Sequence, residues 1–342
     1  MSGLILKNKL LKPGPDQPVQ PAGPPTGPPA GPVKGENPIW QRTAQEPVNR
    51  AGGPGSLGVN YGMQANNLPS PSQVIALCKS RNIHKLRIYG TNPDVLAALR
   101  NSGISLIMDA NEQDLQQLAT NPTFAGAWVQ ANVVPYAGSV NFQYIVMGNE
   151  QIPGNSAGYI LPAIYNVAGS LQGAGLSIPV TTAVSIGAIG TTFPPSQGAF
   201  SNQALQYLGP IVSLLASRKT PLLVNIYPYF SYMENPTTIS LDYALFRAKG
   251  TVVQDGNLGY WNLFDAMVDT VRSALDRIGG GGVGIVVSES GWPSAGGPSV
   301  ATIDNAKTYM NNLVGHVYNK AGTPKMPDGT WTSTYFPCLT RI

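Results

Sequence analysis

The sequence predicts an α/β fold: a (β/α)8 barrel, or TIM barrel, that is incomplete in its eighth βα unit. Short apolar runs rich in β-branched residues alternate with amphipathic segments over most of the chain. Continuous apolar runs of this kind are typical of parallel strands that are buried on both faces. The units recur at about 30 to 40 residues each, and regular βα repetition of that length favours a closed barrel.

The strand and helix signals can be placed in order along the chain. Ser70 with Pro71, and Asn92 with Pro93, each supply an N-cap followed by a proline at the first helical position. Strands are predicted at 57–61, 85–89, 105–108, 144–150, 180–184, 222–227 and 283–289. Helices are predicted at 71–80, 93–100, 112–119, 125–133, 159–172, 203–216, 261–278 and 303–318.

An open, doubly wound sheet is the alternative arrangement of such units, and the glycine pattern argues against it. That fold usually has a glycine-rich phosphate-binding turn after its first strand. Here the turn at 61–66 reads YGMQAN and contains no G-x-G-x-x-G pattern. The glycine run at 279–282 follows a predicted helix rather than a strand, so it is interpreted as a linker.

The eighth unit is the weak part of the predicted barrel. Only 18 residues follow Pro324, and the strand-like run at 331–339 contains Pro337. Proline removes a ladder hydrogen-bond donor and is poorly tolerated in a central strand. The sequence therefore predicts seven sound strands and a doubtful eighth.

Residues 1–55 differ in composition from the remainder, which is predicted to be one barrel domain at 56–342. The segment contains twelve prolines interleaved with glycine, glutamine and alanine. Such a composition buries too little apolar surface to offset the entropy of ordering, which predicts a disordered or polyproline-like leader. A flexible leader is the preferred interpretation, and a proline-rich ligand segment is the alternative.

Composition excludes several classes of function. Of the net charge of +4, residues 1–55 contribute +3, from six basic and three acidic residues, so the predicted domain has no strongly basic surface for nucleic acid. Two cysteines and two histidines are too few for a disulfide framework or most zinc sites. No apolar run approaches the length of a membrane span, and no export signal is recognisable. A chain with 11% charged residues suits an uncharged polymer such as a polysaccharide.

Two of the apolar runs end in a glutamate, and these residues are the candidate catalytic pair. Glu150 follows the fourth predicted strand, and Glu289 follows the seventh. The carboxyl ends of barrel strands are where such folds place their chemistry. Paired carboxylates can serve as acid and nucleophile in glycoside hydrolysis. The competing interpretation is that each glutamate is a solvated loop residue, and spacing alone leaves the two interpretations about equal.

Neighbouring polar and aromatic residues strengthen the first interpretation. Asn149 could hydrogen-bond a sugar hydroxyl, and Tyr227 at the end of the sixth strand could hold Glu289 ionised. Aromatic rings at strand ends offer flat apolar faces on which sugars stack, although loop aromatics are also often packing residues. The aromatic candidates are Tyr61, Tyr89, Tyr227, Tyr229, Phe230 and Trp292.

Several longer motifs strongly resemble the plant β-1,3-glucanases, family 17 of the glycoside hydrolases. The resemblance runs from about residue 57 to 323. The motifs are 61–62 (YG), 66–71 (NNLPSP), 87–89 (RIY), 148–150 (GNE), 193–200 (FPPSQGAF), 224–232 (VNIYPYFSY), 252–256 (VVQDG) and 287–294 (VSESGWPS).

The resemblance implies retaining hydrolysis of internal β-1,3-glucosidic bonds, with no metal or cofactor, by a monomeric protein whose partner is its β-glucan substrate. It implies Glu150 as acid/base and Glu289 as nucleophile, with Asn149, Asn225 and Tyr227 as supporting groups. The cleft aromatics would form the sugar subsites. It also implies a role in plant defence or cell-wall remodelling, and a location in the apoplast, the cell wall or the vacuole.

The chain departs from the family pattern in ways that keep other functions open. Gly90 stands where an acidic residue is usual, and Pro337 and Cys338 stand where the family continues its eighth strand and closing helix. A 1,3;1,4-β-glucanase shares these motifs and is one alternative. A catalytically impaired glucan-binding protein is another, and a fragment that does not fold is a third.

Overall fold

The described part of the chain forms a closed barrel of eight parallel strands. The computed structural model describes residues 57–64, 68–319, 322–327 and 334–336. Each strand pairs with the next in sequence, and the eighth pairs with the first. The barrel strands are β1 (Leu57–Tyr61), β2 (Lys85–Ile88), β3 (Ser105–Asp109), β4 (Asn141–Asn149), β5 (Val180–Ser185), β6 (Leu222–Asn225), β7 (Ile285–Glu289) and β8 (Thr334–Phe336).

Helices follow the strands and carry the expected start signals. Ser70 begins α1 with a capping box in which its hydroxyl accepts from the Gln73 N–H and its own N–H reaches the Gln73 side chain. Asn92 caps α2 without a capping box, because its side-chain Oδ1 accepts from the N–H groups of Asp94 and Val95. The helices are α1 (Pro71–Ser80), α2 (Pro93–Leu99), α3 (Leu115–Thr120), α4 (Pro122–Asn132), α5 (Ala157–Gly173), α6 (Asn202–Arg218), α7 (Pro228–Glu234), α8 (Leu241–Ala244), α9 (Leu263–Arg277) and α10 (Ile303–Tyr318).

The fold class is confirmed, and the eighth strand needs a correction. Thr334 pairs with Leu57 on β1 and with Val287 on β7, so β8 closes the ring. Strand β8 spans three residues, Thr334–Phe336, and Pro337 lies outside the described residues, as does the rest of the chain after Phe336.

The barrel has two apolar layers. A small cluster fills the interior of the barrel, with one residue from each of five neighbouring strands, β3 to β7. Its members are Ile107, Val146, Ala183, Leu223 and Val286, each no more than 1% exposed. A larger cluster packs the outer faces of the strands against the surrounding helices. This arrangement explains why the strand sequences are apolar almost throughout.

Two short hairpins and two helices lie in connections that the sequence analysis treated as loops. Residues 189–191 pair with 199–200, and residues 253–255 pair with 258–260. Asp255 joins the two hairpins, because it accepts bonds from the N–H and the hydroxyl of Ser196 at 2.6 and 2.8 Å. The helices α7 and α8 fill the long connection after β6.

The predicted leader at 1–55 lies outside the described residues and stays a prediction. The same holds for residues 65–67 and for most of the run at 331–339. Across the described residues, every helix is too short or too polar to cross a bilayer.

Candidate active site

A polar layer lies directly above the apolar interior of the barrel, at the carboxyl ends of the strands. Alternate residues of a strand face the same side, so the residue two positions after an interior residue also faces inward. Ile107 is followed in this way by Asp109, and Leu223 by Asn225. Both of these polar residues are at most 3% exposed. The sequence thus changes from apolar to polar within one strand step at the mouth of the barrel.

Both predicted catalytic glutamates follow an irregularity in strand pairing. The register of β4 against β5 shifts between Val146 and Asn149, and that of β7 against β6 shifts between Val287 and Glu289. An extra residue of this kind bends a strand and re-aims the side chains that follow it. Glu150 itself has a φ of 56°, and its N–H donates to the Ala183 carbonyl at 2.9 Å. Left-handed backbone at a residue other than glycine costs about 1–2 kcal/mol, and such outliers cluster at functional sites.

Arg87 connects most of the polar layer. Its guanidinium donates to Asp109 in a bidentate pair, at 3.1 Å from Nε and 2.7 Å from Nη2. The remaining N–H groups reach Asn149 Oδ1 at 2.9 Å, Asn225 Oδ1 at 3.3 Å and Glu289 Oε1 at 3.0 Å. Burial lowers the pKa of Arg87, but the charges of Asp109 and Glu289 raise it and the net shift is upward. The Arg87 side chain is 0% exposed, and each of its five N–H donors has an acceptor.

Asn225 lies between the two glutamates and uses both ends of its carboxamide. Its Oδ1 accepts from the Ser288 hydroxyl at 2.8 Å as well as from Arg87. Its Nδ2 donates to Asn149 Oδ1 at 3.0 Å and to Glu150 Oε1 at 2.6 Å. Because donors and acceptors surround the two ends differently, only one orientation of the amide satisfies all of them. Asn225 thus fixes the position of the Glu150 carboxyl.

Glu289 is held by two donors and is 8% exposed. Arg87 Nη1 reaches Oε1 at 3.0 Å, and the Tyr227 hydroxyl donates to Oε2 at 2.8 Å. Each carboxylate oxygen therefore has its own partner, and one partner is a permanent cation. Burial raises the pKa of Tyr227, as does the negative charge of Glu289, so Tyr227 stays a protonated donor.

Glu150 has a different environment. The residue is exposed at the mouth of the barrel, and its carboxyl receives a bond from the neutral Asn225. Partial burial raises the pKa of Glu150 above its ordinary value, and the charge of Glu289 raises it further. The bond from Asn225 and the charge of Arg87 act in the opposite direction without cancelling the rise. The mutual influence of the two carboxyls places them in one electrostatic site.

Two of the predicted stacking residues are open to solvent at this mouth. Tyr89 is 38% exposed and Phe230 is 56% exposed. The Arg87 guanidinium lies over the Tyr89 ring at 4.9 Å from its centroid, which ties this ring to the polar layer. Phe230 contacts the Tyr227 ring edge-on at 5.7 Å. Both rings can therefore offer a face beside the carboxylates.

Three other predicted stacking residues, Tyr61, Tyr229 and Trp292, are buried, which corrects their interpretation as open sugar platforms; Tyr229 is 7% exposed. Tyr61 is 1% exposed, because it ends β1 on the face that packs into the outer core. Trp292 is 5% exposed, its ring packs against Tyr229 and Tyr309, and its Nε1 donates to the Val300 carbonyl at 2.9 Å. Trp292 supports the wall of the cleft rather than lining it.

Arg87 belongs to one of the sequence motifs, but the motif does not mark it as part of the site. The sequence analysis also does not predict that Asp109 and Ser288 belong to the site. A signal was present, since Arg87 stands inside an apolar strand, and a buried charge requires a partner. Asp109 at the end of the next strand was the natural partner to look for. The part of the chain that the structure describes holds no cluster of three or more metal-ligating side chains.

Comparison with known proteins places the chain in a family. The model of the family described as "Glycosyl hydrolases family 17" matches residues 57–336. A glucan endo-1,3-β-glucosidase of Vitis vinifera is 52% identical over 276 residues, which cover 79% of each chain. A second such protein, from Pisum sativum, is 50% identical over 280 residues, which cover 80% of this chain and 75% of that one.

Solved structures agree with this placement. CJP38, a β-1,3-glucanase and allergen of Cryptomeria japonica pollen, superposes with a TM-score of 0.80 at 44% identity, covering 83% of this chain and 90% of that chain. One of two plant β-glucan endohydrolases with distinct substrate specificities superposes with a TM-score of 0.79 at 43% identity, covering 82% and 90%. The chain therefore belongs to family 17 of the glycosyl hydrolases.

Proposed function

We propose that this chain hydrolyses internal β-1,3-glucosidic bonds of β-1,3-glucans with retention of anomeric configuration. The observation that carries the proposal is the hydrogen-bonded chain from Glu150 through Asn225 and Arg87 to Glu289, at one end of the barrel. Two carboxyls in one site with different surroundings are what glycoside hydrolysis requires. The names of the relatives from Vitis vinifera and Pisum sativum support the choice of linkage.

Glu150 is the acid/base in this proposal. Its raised pKa means that more of it is protonated at a given pH than of an ordinary glutamate, and the protonated carboxyl can give a proton to the glycosidic oxygen as the bond to the leaving sugar breaks. After that step its carboxylate takes a proton from the water that attacks the intermediate. Exposure at the mouth of the barrel gives the leaving sugar and the incoming water access to this carboxyl.

Glu289 is the nucleophile. Its carboxylate attacks the anomeric carbon from the face opposite the leaving oxygen and forms a covalent glycosyl-enzyme. The bonds from Arg87 and Tyr227 orient both oxygens, so little reorganisation is needed at the moment of attack. Water then releases the sugar from Glu289, and the two inversions give overall retention.

Asn149 completes the reacting centre. Its carbonyl oxygen accepts from both Arg87 and Asn225, which turns its Nδ2 group away from that network. We assign this Nδ2 to the 2-hydroxyl of the sugar that becomes attached to Glu289, a contact that strengthens in an oxocarbenium-like transition state. Tyr89 and Phe230 are assigned to stacking with neighbouring glucose rings.

The test is hydrolysis of laminarin, followed both by reducing-sugar release and by proton NMR of the first products. We expect release of oligosaccharides that carry newly formed β-anomeric ends before mutarotation. The Glu289→Gln variant is the matched control, because the amide preserves shape but cannot act as a nucleophile. First products in the α configuration would refute retention, and full activity in Glu289→Gln would refute the site.

The same assay separates the alternatives. Faster hydrolysis of mixed-linkage 1,3;1,4-β-glucan than of laminarin would indicate the sister specificity. Binding of laminarin without turnover in the parental chain would indicate a glucan-binding protein. A chain without a cooperative thermal transition would indicate a fragment that does not fold.

Location and oligomeric state are inferred from the resemblance to family 17. We infer that the protein acts as a monomer, either in a wall-facing compartment or in the vacuole. The name of a relative from Nicotiana plumbaginifolia, a basic vacuolar isoform 49% identical over 278 residues, supports the second of these locations. Cell fractionation and size-exclusion chromatography of the full chain test the two inferences.

A further inference from the structure

A cavity lies on the outside of the barrel, and none of its lining residues belongs to the polar layer. It runs between the N-terminal part of α9 and the C-terminal part of α10, beside the connection that precedes α9, and its volume is about 810 Å³. This volume lies within the range of about 300–1,000 Å³ that is typical of ligand sites. We call it the outer groove, and the residues used below are Phe246, Asn257, Trp261, Asp265, Asn311, His316 and Asn319.

The apolar part of the outer groove consists of two aromatic residues. Trp261 is 55% exposed, so most of its indole surface is available to a ligand. Phe246 is partly buried and rests on Phe264 and Tyr309, with ring centroids 5.8 and 5.6 Å apart. Its backbone is left-handed, with a φ of 59°, a conformation that costs a phenylalanine about 1–2 kcal/mol. The fold tolerates this strain at a residue whose ring forms part of the groove.

The polar part of the outer groove is rich in carboxamides. Asn257, Asn311 and Asn319 are exposed at its edges. A carboxamide presents a donor and an acceptor side by side, and a sugar hydroxyl both donates and accepts. Carboxamides beside an open indole face therefore match the two surfaces of a pyranose ring, its hydroxyl rim and its apolar face.

The two titratable side chains of the outer groove are turned away from solvent. Among the described residues that line it, only Asp265 and His316 can carry a charge, and they face each other with His316 Nε2 2.9 Å from Asp265 Oδ1. Asn262 adds a bond to the other oxygen of Asp265 at 2.8 Å. Their side chains are only 8% and 14% exposed, so the groove offers a ligand little charged surface and an uncharged ligand is favoured.

We propose that the outer groove binds a short stretch of neutral glucan chain without hydrolysing it. The inference rests on the proposed function for the identity of the sugar, and it adds a second point of attachment outside the cleft. The residues that line the groove include none of those assigned to the reaction. A polymer held at both places would stay near the cleft between cleavage events, because the second contact raises its effective concentration there.

The test uses the full chain carrying Glu289→Gln, which binds substrate without consuming it, and titrates it with laminarihexaose by calorimetry. We expect a second, weaker binding event in addition to the one in the cleft. Adding Trp261→Ala should weaken that second event about tenfold or more, as expected for the loss of an aromatic anchor, and leave the first unchanged. Asn257→Ala should weaken the second event less. Tyr165→Ala, which removes another exposed ring that is 50% exposed, is the matched control and should change neither event.

A single binding event that Trp261→Ala leaves unchanged would overturn the inference, as would equal weakening by Tyr165→Ala. The result is separable from the proposed function. If the parental chain hydrolyses laminarin but shows no Trp261-dependent binding event, the proposed function stands and the outer-groove inference is wrong. If the chain does not hydrolyse laminarin but shows that binding event, the outer groove is still a saccharide site and the proposed function is wrong.

Discussion

The ends of β4 and β7 carry the same residue type in contrasting surroundings. Glu289 at the end of β7 is 8% exposed and receives bonds from the cation Arg87 and from Tyr227. Glu150 after β4 is exposed and receives its bond from the neutral Asn225. The same residue type therefore meets a permanent positive charge on one side of the barrel mouth and a carboxamide on the other.

This contrast matches the two proposed chemical roles. A carboxylate bonded to a fixed cation and a hydroxyl is kept oriented for attack, whereas desolvation of the Glu150 carboxyl raises its pKa and so favours retention of a proton relative to an ordinary glutamate. The scaffold makes the contrast through neighbouring strands: Arg87 and Asp109 come from β2 and β3, and Asn225 and Tyr227 come from β6 and the residues after it. The predictions below alter one side of the contrast at a time.

The largest expected difference is between the two amide variants, assayed on aryl glucosides with good and poor leaving groups. Glu289→Gln should lose about 10⁴-fold or more of kcat on every substrate, because no nucleophile remains. Glu150→Gln should keep laminarin affinity and lose turnover, but regain glycosylation rate on leaving groups that need no proton. If the rates of both variants depended on the leaving group to the same extent, Glu150 and Glu289 could not have the different roles assigned to them.

Arg87→Met should cost both stability and activity. The change leaves Asp109 buried and unpaired, which should lower the free energy of unfolding by about 3–5 kcal/mol. It also removes one of the two bonds to Glu289, so kcat on laminarin should fall about 100-fold in the fraction that is folded. Urea unfolding and initial rates measure the two effects.

The control for Arg87→Met is Arg247→Met. Arg247 pairs with Asp242 at 2.6 Å, but both side chains are largely exposed. An exposed ion pair contributes about 0–1 kcal/mol, so this variant should behave almost as the parent. Similar losses of stability in the two variants would show that Arg87 has no special place in the polar layer.

Tyr227→Phe should have a smaller effect, confined to the Glu289 side. Loss of the bond to Oε2 leaves the bond from Arg87 intact, so kcat should fall about 10- to 100-fold with little change in KM. Tyr229→Phe, two residues further along, is the control and should retain parental rates. A change in KM alone would assign Tyr227 to substrate binding and not to orientation of the nucleophile.

Asn225→Asp should shift the pH profile with a defined sign. The bond from Asn225 lowers the pKa of Glu150, so its loss, together with a new negative charge, should raise that pKa further. The acid must be protonated to act, so the alkaline limb of kcat/KM should move to higher pH, by about one unit. Asn141→Asp, at the opposite end of β4, should leave the limb in place. A shift to lower pH in Asn225→Asp would contradict the assignment of Glu150.

Local patterns were enough to predict the main strands and helices and to place Glu150 and Glu289 at the ends of two strands, whereas their roles stay a proposal. Helices at 71–80 and 303–318 have the predicted bounds, and the apolar runs before Glu150 and Glu289 are barrel strands. The strand-like run at 331–339 does not predict the extent of β8, because the run contains Pro337 whereas β8 spans Thr334–Phe336. The hairpins at 189–200 and 253–260 were missed because their strands are only two or three residues long.

The connections within the site were less predictable, because they join residues far apart in the chain. Arg87 bonds to Glu289 across 202 positions and to Asn225 across 138. No local pattern reports which inward-facing polar groups meet at the mouth of a closed barrel. The burial of aromatic rings is hard to predict for the same reason. The motif around Trp292 identifies the ring, but not the Tyr229 and Tyr309 side chains that pack against it.

The most direct test of the central claim is rescue with azide of Glu289→Gly and, separately, of Glu150→Ala, using an activated aryl β-glucoside. In Glu289→Gly, azide should enter on the face that the nucleophile occupied and give an α-glucosyl azide. In Glu150→Ala, azide should attack the glycosyl-enzyme and give a β-glucosyl azide. NMR of the isolated azides reads the configuration, and the opposite pairing of variant and anomer would contradict the assigned roles of the two glutamates.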